Sequence, residues 1–145
     1  MNIERLIETL RIHEGVRHFV YDDHLGYATI GCGRCIEKGV GIGLSDDEID
    51  FLLENDVRRC VRELRENFDW FDSLDSVRAE GMVNLCFNLG ITKLRQFKKA
   101  LAHMADSNFK LAADEFYDSR WRHQVGHRAE EVCDMIRHGN DIERN

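Results

Sequence analysis

Nowhere in these 145 residues does an apolar run approach the roughly 20 positions that a membrane-spanning helix needs. The opening stretch M-N-I-E-R-L-I-E-T-L sets Glu4, Arg5 and Glu8 among its apolar residues, so it has no h-region of a signal peptide. The chain is therefore expected to carry no export signal of its own and to make no stable membrane insertion. A disulfide framework is missing too. The five cysteines (Cys32, Cys35, Cys60, Cys86, Cys133) are odd in number and fall mostly at apolar helix positions, which suits reduced thiols in a cytosolic setting. Proline is absent altogether, and no functional conclusion follows from that. There is no excess of basic charge: the formal net charge is −7, a poor starting point for a general nucleic-acid binder. The charge is uneven, since residues 1–89 carry 10 basic and 18 acidic groups whereas residues 90–145 carry 10 and 9. The neutral-to-basic last third leaves room for contact with an anionic polymer.

Cofactor signatures are equally scarce. Cys32-Gly33-Arg34-Cys35 has C-x-x-C spacing, but the four ligands of a zinc site and the βαβ context of a redox site are both missing. Gly39-x-Gly41-x-Gly43 precedes a helix with the wrong spacing for a dinucleotide loop, and the seven histidines form no H-E-x-x-H pattern. Neither a metal nor a cofactor is expected.

What is present reads as one domain, long enough to bury a real core, with 43% apolar and 32% charged residues. Ile3, Leu6, Ile7 and Leu10 predict an amphipathic helix over 1–13 that ends near Glu14-Gly15. Phe19-Val20-Tyr21 and Tyr27, Thr29, Ile30 flank D-D-H-L-G and predict a small hairpin. Five glycines in 31–43 predict a loop with close backbone approaches and one more short strand. Ser45-Asp46-Asp47-Glu48 fits a capping box, and the stripe Ile49, Leu52, Leu53, Val57, Val61, Leu64, Phe68 predicts a helix over about 45–67. Helices are expected over about 73–89, 92–105, 108–118 and 126–138, with Gly90 and Gly139 as C-caps. The predicted fold is α+β. A small N-terminal lobe (about 14–44) is joined by a long helix (about 45–67) to a helical lobe (about 68–145, with helix 1–13).

One run carries most of the functional information. Glu14 closes the first helix, Asp23 follows nine residues later, and Thr29 six beyond that, on the two arms of the hairpin. Two carboxylates held by different backbone elements are what glycosidic cleavage needs: one protonates the leaving oxygen, the other handles developing positive charge or the attacking water. Strand alternation sends Asp22 and Asp23 to opposite faces, so only one of them serves.

These residues resemble the phage-type lysozymes (endolysin muramidases). The likeness rests on Glu14-Gly15, Tyr21-x-Asp23 and Gly26-Tyr27-x-Thr29-Ile30-Gly31-x-Gly33. It continues through S-L-D-S-V-R (Ser73–Arg78), N-L-C-F-N-L-G (Asn84–Gly90) and S-R-W-R-H-Q-V-G-H-R-A (Ser119–Ala129), in order over nearly the whole chain. The resemblance implies a lysozyme-like fold and cleavage of the β-1,4 bond between N-acetylmuramic acid and N-acetylglucosamine in bacterial peptidoglycan. It assigns Glu14 as the acid and selects Asp23, which with Thr29 would hold a water or stabilise charge on the other face of the sugar. Glu14 would need partial desolvation to stay protonated, and Asp23 solvation to stay ionised. Thr29 suits the orienting of a water, so inversion is favoured, with the carboxyl groups ~6.5–9.5 Å apart.

Arg128 aligns with an arginine that pairs with the catalytic glutamate in that family. Asn84, Asn88 and Trp121 match or approximate positions near its sugar-binding cleft and helix packing. Trp121 on its own reads more readily as core. Departures are Arg34, where many relatives have histidine, and Asn88, where a longer amide occurs. Arg34 is expected to offer a cation near the hairpin, and the short segment from Gly33 to Ser45 a small lobe. Arg120, Arg122, His123, His127 and Arg128 read either as a solvated face or as a patch for anionic cell wall. The expected setting is a monomer that accumulates in the host cytoplasm and acts on the periplasmic cell wall, with a holin to release it.

Overall fold

The computed structural model describes residues 1–119 and 121–144. They form two compact units, Met1–Leu52 and Leu53–Asn145. The architecture is α+β, with a three-stranded antiparallel sheet and eight α-helices among the described residues, consistent with a lysozyme-like fold.

In the first unit, α1 (Ile3–Glu14) starts at Asn2, whose side-chain oxygen accepts from the Arg5 amide at 2.9 Å. It stops because Gly15 takes φ +74°, a conformation that a side chain would disfavour. That stop leaves Glu14 as the last helical residue. The strands β1 (Arg17–Asp22), β2 (Ala28–Gly31) and β3 (Arg34–Cys35) follow in spatial order 1-2-3. Tyr21 pairs with Thr29 and Asp22 with Ala28; Thr29 pairs in turn with Cys35 and Ile30 with Arg34. The close backbone approaches expected of the glycine-rich loop occur at two places. A Cβ on Gly41 would stand 2.2 Å from the Cys35 carbonyl oxygen, and one on Gly33 would stand 2.8 Å from Glu14 Oε2.

Helix α2 (Asp46–Asn67) begins with the expected capping box: Glu48 N–H donates to Ser45 Oγ (3.3 Å) and Ser45 N–H to Glu48 Oε1 (2.9 Å). The boundary between the units falls inside this helix, after Leu52. Its side chains become fully buried only at Cys60 and Leu64.

The second unit continues through α3 (Ser76–Leu89), α4 (Ile91–Leu94), α5 (Lys98–Ala105), α6 (Phe109–Tyr117), α7 (Trp121–Val125) and α8 (His127–His138). The single helix expected over 92–105 is thus two. Gln96 and Phe97 N–H turn back onto Lys93 and Leu94 carbonyls, and Phe97 swings onto the Phe116 ring, 5.6 Å between centroids. Burial of one aromatic there outweighs helical continuity, which no glycine or proline in the segment would have betrayed. The core holds Leu64, Met82, Leu85, Phe116, Val132 and Ile136, all essentially without exposure. Gly81 lets α3 approach α8, since a Cβ there would touch Ile136 Cδ1 at 3.0 Å.

Arg78 closes the end of α8. Its guanidinium donates to the Ile136 carbonyl (2.7 Å), the Arg137 carbonyl (3.0 Å) and Asp75 Oδ1 (3.0 Å), and lies 4.0 Å over the Phe109 ring. It thereby satisfies two carbonyls that the helix terminus leaves without a helical partner.

Candidate active site

Glu14, Asp23 and Thr29 all belong to the first unit. Glu14 is exposed, and its carboxylate lies against the bare Cα of Gly33, where a Cβ would meet Oε2 at 2.8 Å, Cδ at 3.0 Å and Cγ at 3.2 Å. Gly33 holds φ +75° in the turn between β2 and β3. That turn sits on the end of α1, because Cys32 Sγ also reaches the Leu10 carbonyl at 3.5 Å. The carboxylate rests against backbone that carries no side chain, and a Cβ there would push it away.

Asp23 stands just past the end of β1. Its N–H donates to the Tyr27 carbonyl (3.0 Å), which extends the ladder by one position. Side chains opposite one another in an antiparallel pair share a face, so Tyr21 with Thr29 places Asp23 on the Thr29 side and Asp22 on the other. Asp23 Oδ1 accepts from Leu25 N–H (2.8 Å) and Tyr27 N–H (2.9 Å). The Tyr27 N–H is the largest influence and holds its carboxyl below the ordinary aspartate value; burial opposes it, and the Leu25 N–H adds to the lowering. Asp23 is therefore an anion at neutral pH.

Thr29 is the one buried polar residue among those described, 3% exposed. Its hydroxyl donates to the Tyr27 carbonyl at 2.8 Å. With the proton so directed, Thr29 Oγ1 has only acceptor capacity left to offer. The backbone of one residue, Tyr27, thus orients both side chains: its N–H holds Asp23, and its carbonyl holds Thr29. Sequence reasoning missed this, since a backbone role leaves no side-chain signature beyond the G-Y-x-T spacing.

Arg34 is engaged rather than free. Its guanidinium makes a two-pronged pair with Glu48 (2.8 and 2.6 Å) and donates to the Gly43 carbonyl at 3.0 Å. Arg34 and the Ser45 cap bring the Glu48 carboxyl down to about 2. The expected cation near the hairpin is thus matched by Glu48, and its place is in a brace.

In the second unit, Arg128 Nε donates to Asn84 Oδ1 at 2.8 Å. Trp121 is 3% exposed, and its indole N–H donates to Asn88 Oδ1 at 2.7 Å. These two form a packing pair; the buried ring is not laid open as a platform for sugar. The basic group around it is locally matched: Arg122 lies 4.8 Å over the Tyr117 ring, and His127 stands between Glu130 and Glu131. Arg120 lies outside the described residues.

Burial pushes the Cys86 thiol up to about 12, with Cys60 adding to the effect, and the Cys133 thiol up to about 11. Such thiols are poor nucleophiles at neutral pH. Among the described residues no group of three or more His, Cys, Asp or Glu side chains could hold a metal, and no helix is long and apolar enough to cross a membrane.

Comparison with known proteins adds three relatives. Probable T4-type lysozymes 1 and 2 of Dictyostelium discoideum are each 24% identical over 163 aligned positions, covering 94% of this chain and 96% of theirs. The pre-baseplate central spike protein Gp5 of Enterobacteria phage T4 is 26% identical over 161, covering 93% of this chain but 28% of that protein. The family model described as phage lysozyme matches residues 11–137, a stretch that contains Glu14, Asp23, Thr29 and Tyr27, whose backbone orients Asp23 and Thr29. The chain belongs to the phage lysozyme family.

Proposed function

We propose that this protein hydrolyses the β-1,4 bond between N-acetylmuramic acid and N-acetylglucosamine in bacterial peptidoglycan, with inversion at the anomeric carbon. Family membership supports a muramidase-like glycoside hydrolase; the bond and the stereochemistry are our reading. The observation that carries it is the pairing of Asp23 with Thr29. An anionic Asp23 and a Thr29 oxygen left with acceptor capacity lie on one face of the hairpin. A water between them would donate one proton to each and turn a lone pair outwards, as attack on an anomeric carbon requires. Glu14, on a different element, would protonate the leaving oxygen. Glu14 lies exposed against the Gly33 turn, whereas Asp23 is held by two backbone N–H groups. Two environments thus divide the roles of two carboxylates.

The resemblance extends this reading to lysis of a bacterial host. A monomer would be held in the host cytoplasm until a holin releases it to the periplasmic wall. Supporting roles for Arg128, Asn84 and Asn88 belong to the same reading, with Trp121 acting through its hydrogen bond to Asn88. Digestion of purified peptidoglycan tests it. New reducing ends of inverted configuration are expected, and Glu14→Gln should abolish them while the fold survives. Anhydro-muramic ends, or binding to sacculi without release, would refute the hydrolase.

A further inference from the structure

The β2–β3 turn carries the seat of Glu14, yet its own strand is too short to fix it. Strand β3 is two residues long, with two ladder partners, against a usual length of about five or six. Gly31 and Gly33 both sit at positive φ, and as glycines they restrain the backbone least. Beyond the contact of Cys32 Sγ with the Leu10 carbonyl, the turn is anchored by the residue directly after it. Arg34 grips both oxygens of Glu48 in the first turn of α2 and also the Gly43 carbonyl, so that one guanidinium ties hairpin, loop and helix together. Glu48 is in turn fixed by the Ser45 amide at 2.9 Å. The planar fork of Arg matches a carboxylate in a way that an ammonium does not.

We propose that Arg34 and Glu48 are positioning residues for the catalytic acid: their two-pronged ion pair locks the Gly33 turn at the distance that seats the Glu14 carboxylate. The inference rests on the hydrolase reading for its effect on rate, and on the geometry alone for its effect on the turn. A brace of this kind acts on kcat and leaves KM alone, since it aims a reacting group without binding substrate.

The test compares Arg34→Met, Arg34→Lys and Glu48→Gln with Arg65→Met, which removes the exposed Arg65–Asp72 ion pair (2.8 Å) on the other half of α2. All are assayed on solubilised peptidoglycan, far below each variant's melting temperature. Arg34→Met is expected to lower kcat about tenfold, the cost of a misaim of roughly half an ångström, with KM within about twofold. Arg34→Lys should recover part of the loss, and Arg65→Met should match the wild type. If Arg34→Met fails to fold, Glu48→Gln decides, because it removes the charge but keeps an oxygen for the Ser45 amide. Wild-type kcat in a folded Arg34→Met or Glu48→Gln overturns the proposal. If the wild-type protein releases no reducing ends, the hydrolase reading falls, and NMR decides the positioning by itself. Gly33 amide and Glu14 carboxyl signals that move in Arg34→Met but not in Arg65→Met uphold it; unmoved signals overturn it.

Discussion

Replacing Gly33 by alanine separates a backbone requirement from a catalytic one. An L-residue at φ +75° carries about 1–2 kcal/mol of strain. The new methyl would also stand 2.8 Å from Glu14 Oε2, whereas a carbon and a carboxylate oxygen settle at about 3.3 Å or more. The carboxylate is the end of a flexible side chain, so it will retreat by roughly half an ångström at little cost in stability, but at a cost in aim. A displacement of about 1 Å lowers rate about 100-fold, so half of that predicts roughly a tenfold fall in kcat. Gly31 supplies the control. It has φ +71° at the end of β2, beside that turn, and nothing within 4 Å of its Cβ position, so Gly31→Ala carries the strain without the collision. Both variants should melt about 3–6 °C lower, and only Gly33→Ala should lose kcat in release of reducing ends. Equal kcat values for the two would refute the claim that Gly33 exists to seat the acid.

Three further outcomes follow from the geometry. Gly41→Ala should unfold the first unit locally, since no shift of a side chain relieves a 2.2 Å contact with the Cys35 carbonyl oxygen; hydrogen exchange in 28–43 would rise, and unchanged protection would contradict it. Arg78→Met should destabilise the second unit by about 2–4 kcal/mol, as hydrogen bonds from a charged group to two α8 carbonyls and to Asp75 are lost together; a change below about 1 kcal/mol in urea melts would show that those carbonyls find other partners. Acid should erase the brace: Glu48 is lowered to about 2 from an ordinary value of 4.5, so its contribution is whole above about pH 5 and fades as pH falls towards 2. The melting difference between wild type and Arg34→Met should therefore close over that window, and a difference independent of pH would remove the ion pair as its source.

The features legible in the chain are those set by near neighbours. Gly15 and the Ser45–Glu48 box announce helix ends within four residues of themselves, and each stands where local chemistry puts it. Alternation likewise separates Asp22 from Asp23 without any knowledge of the fold. The helix break at Gln96–Phe97 was hidden because its cause is the Phe116 ring, in another helix. Arg34 was read as a spare cation because Glu48 lies 14 residues away and is already accounted for by its cap. Arg78 passed as one motif residue among several, since the carbonyls it satisfies lie 58 and 59 positions later.

The same division runs through the site itself. The residues to which the proposed chemistry falls are written in the sequence, but the groups that hold them are a glycine's missing Cβ, the backbone of Tyr27 and an ion pair closed over a loop. None of the three has a composition of its own. A chain that kept Glu14, Asp23 and Thr29 but lost Gly33 would still match the pattern of proposed catalytic residues, and on the proposed mechanism it would be a slower enzyme.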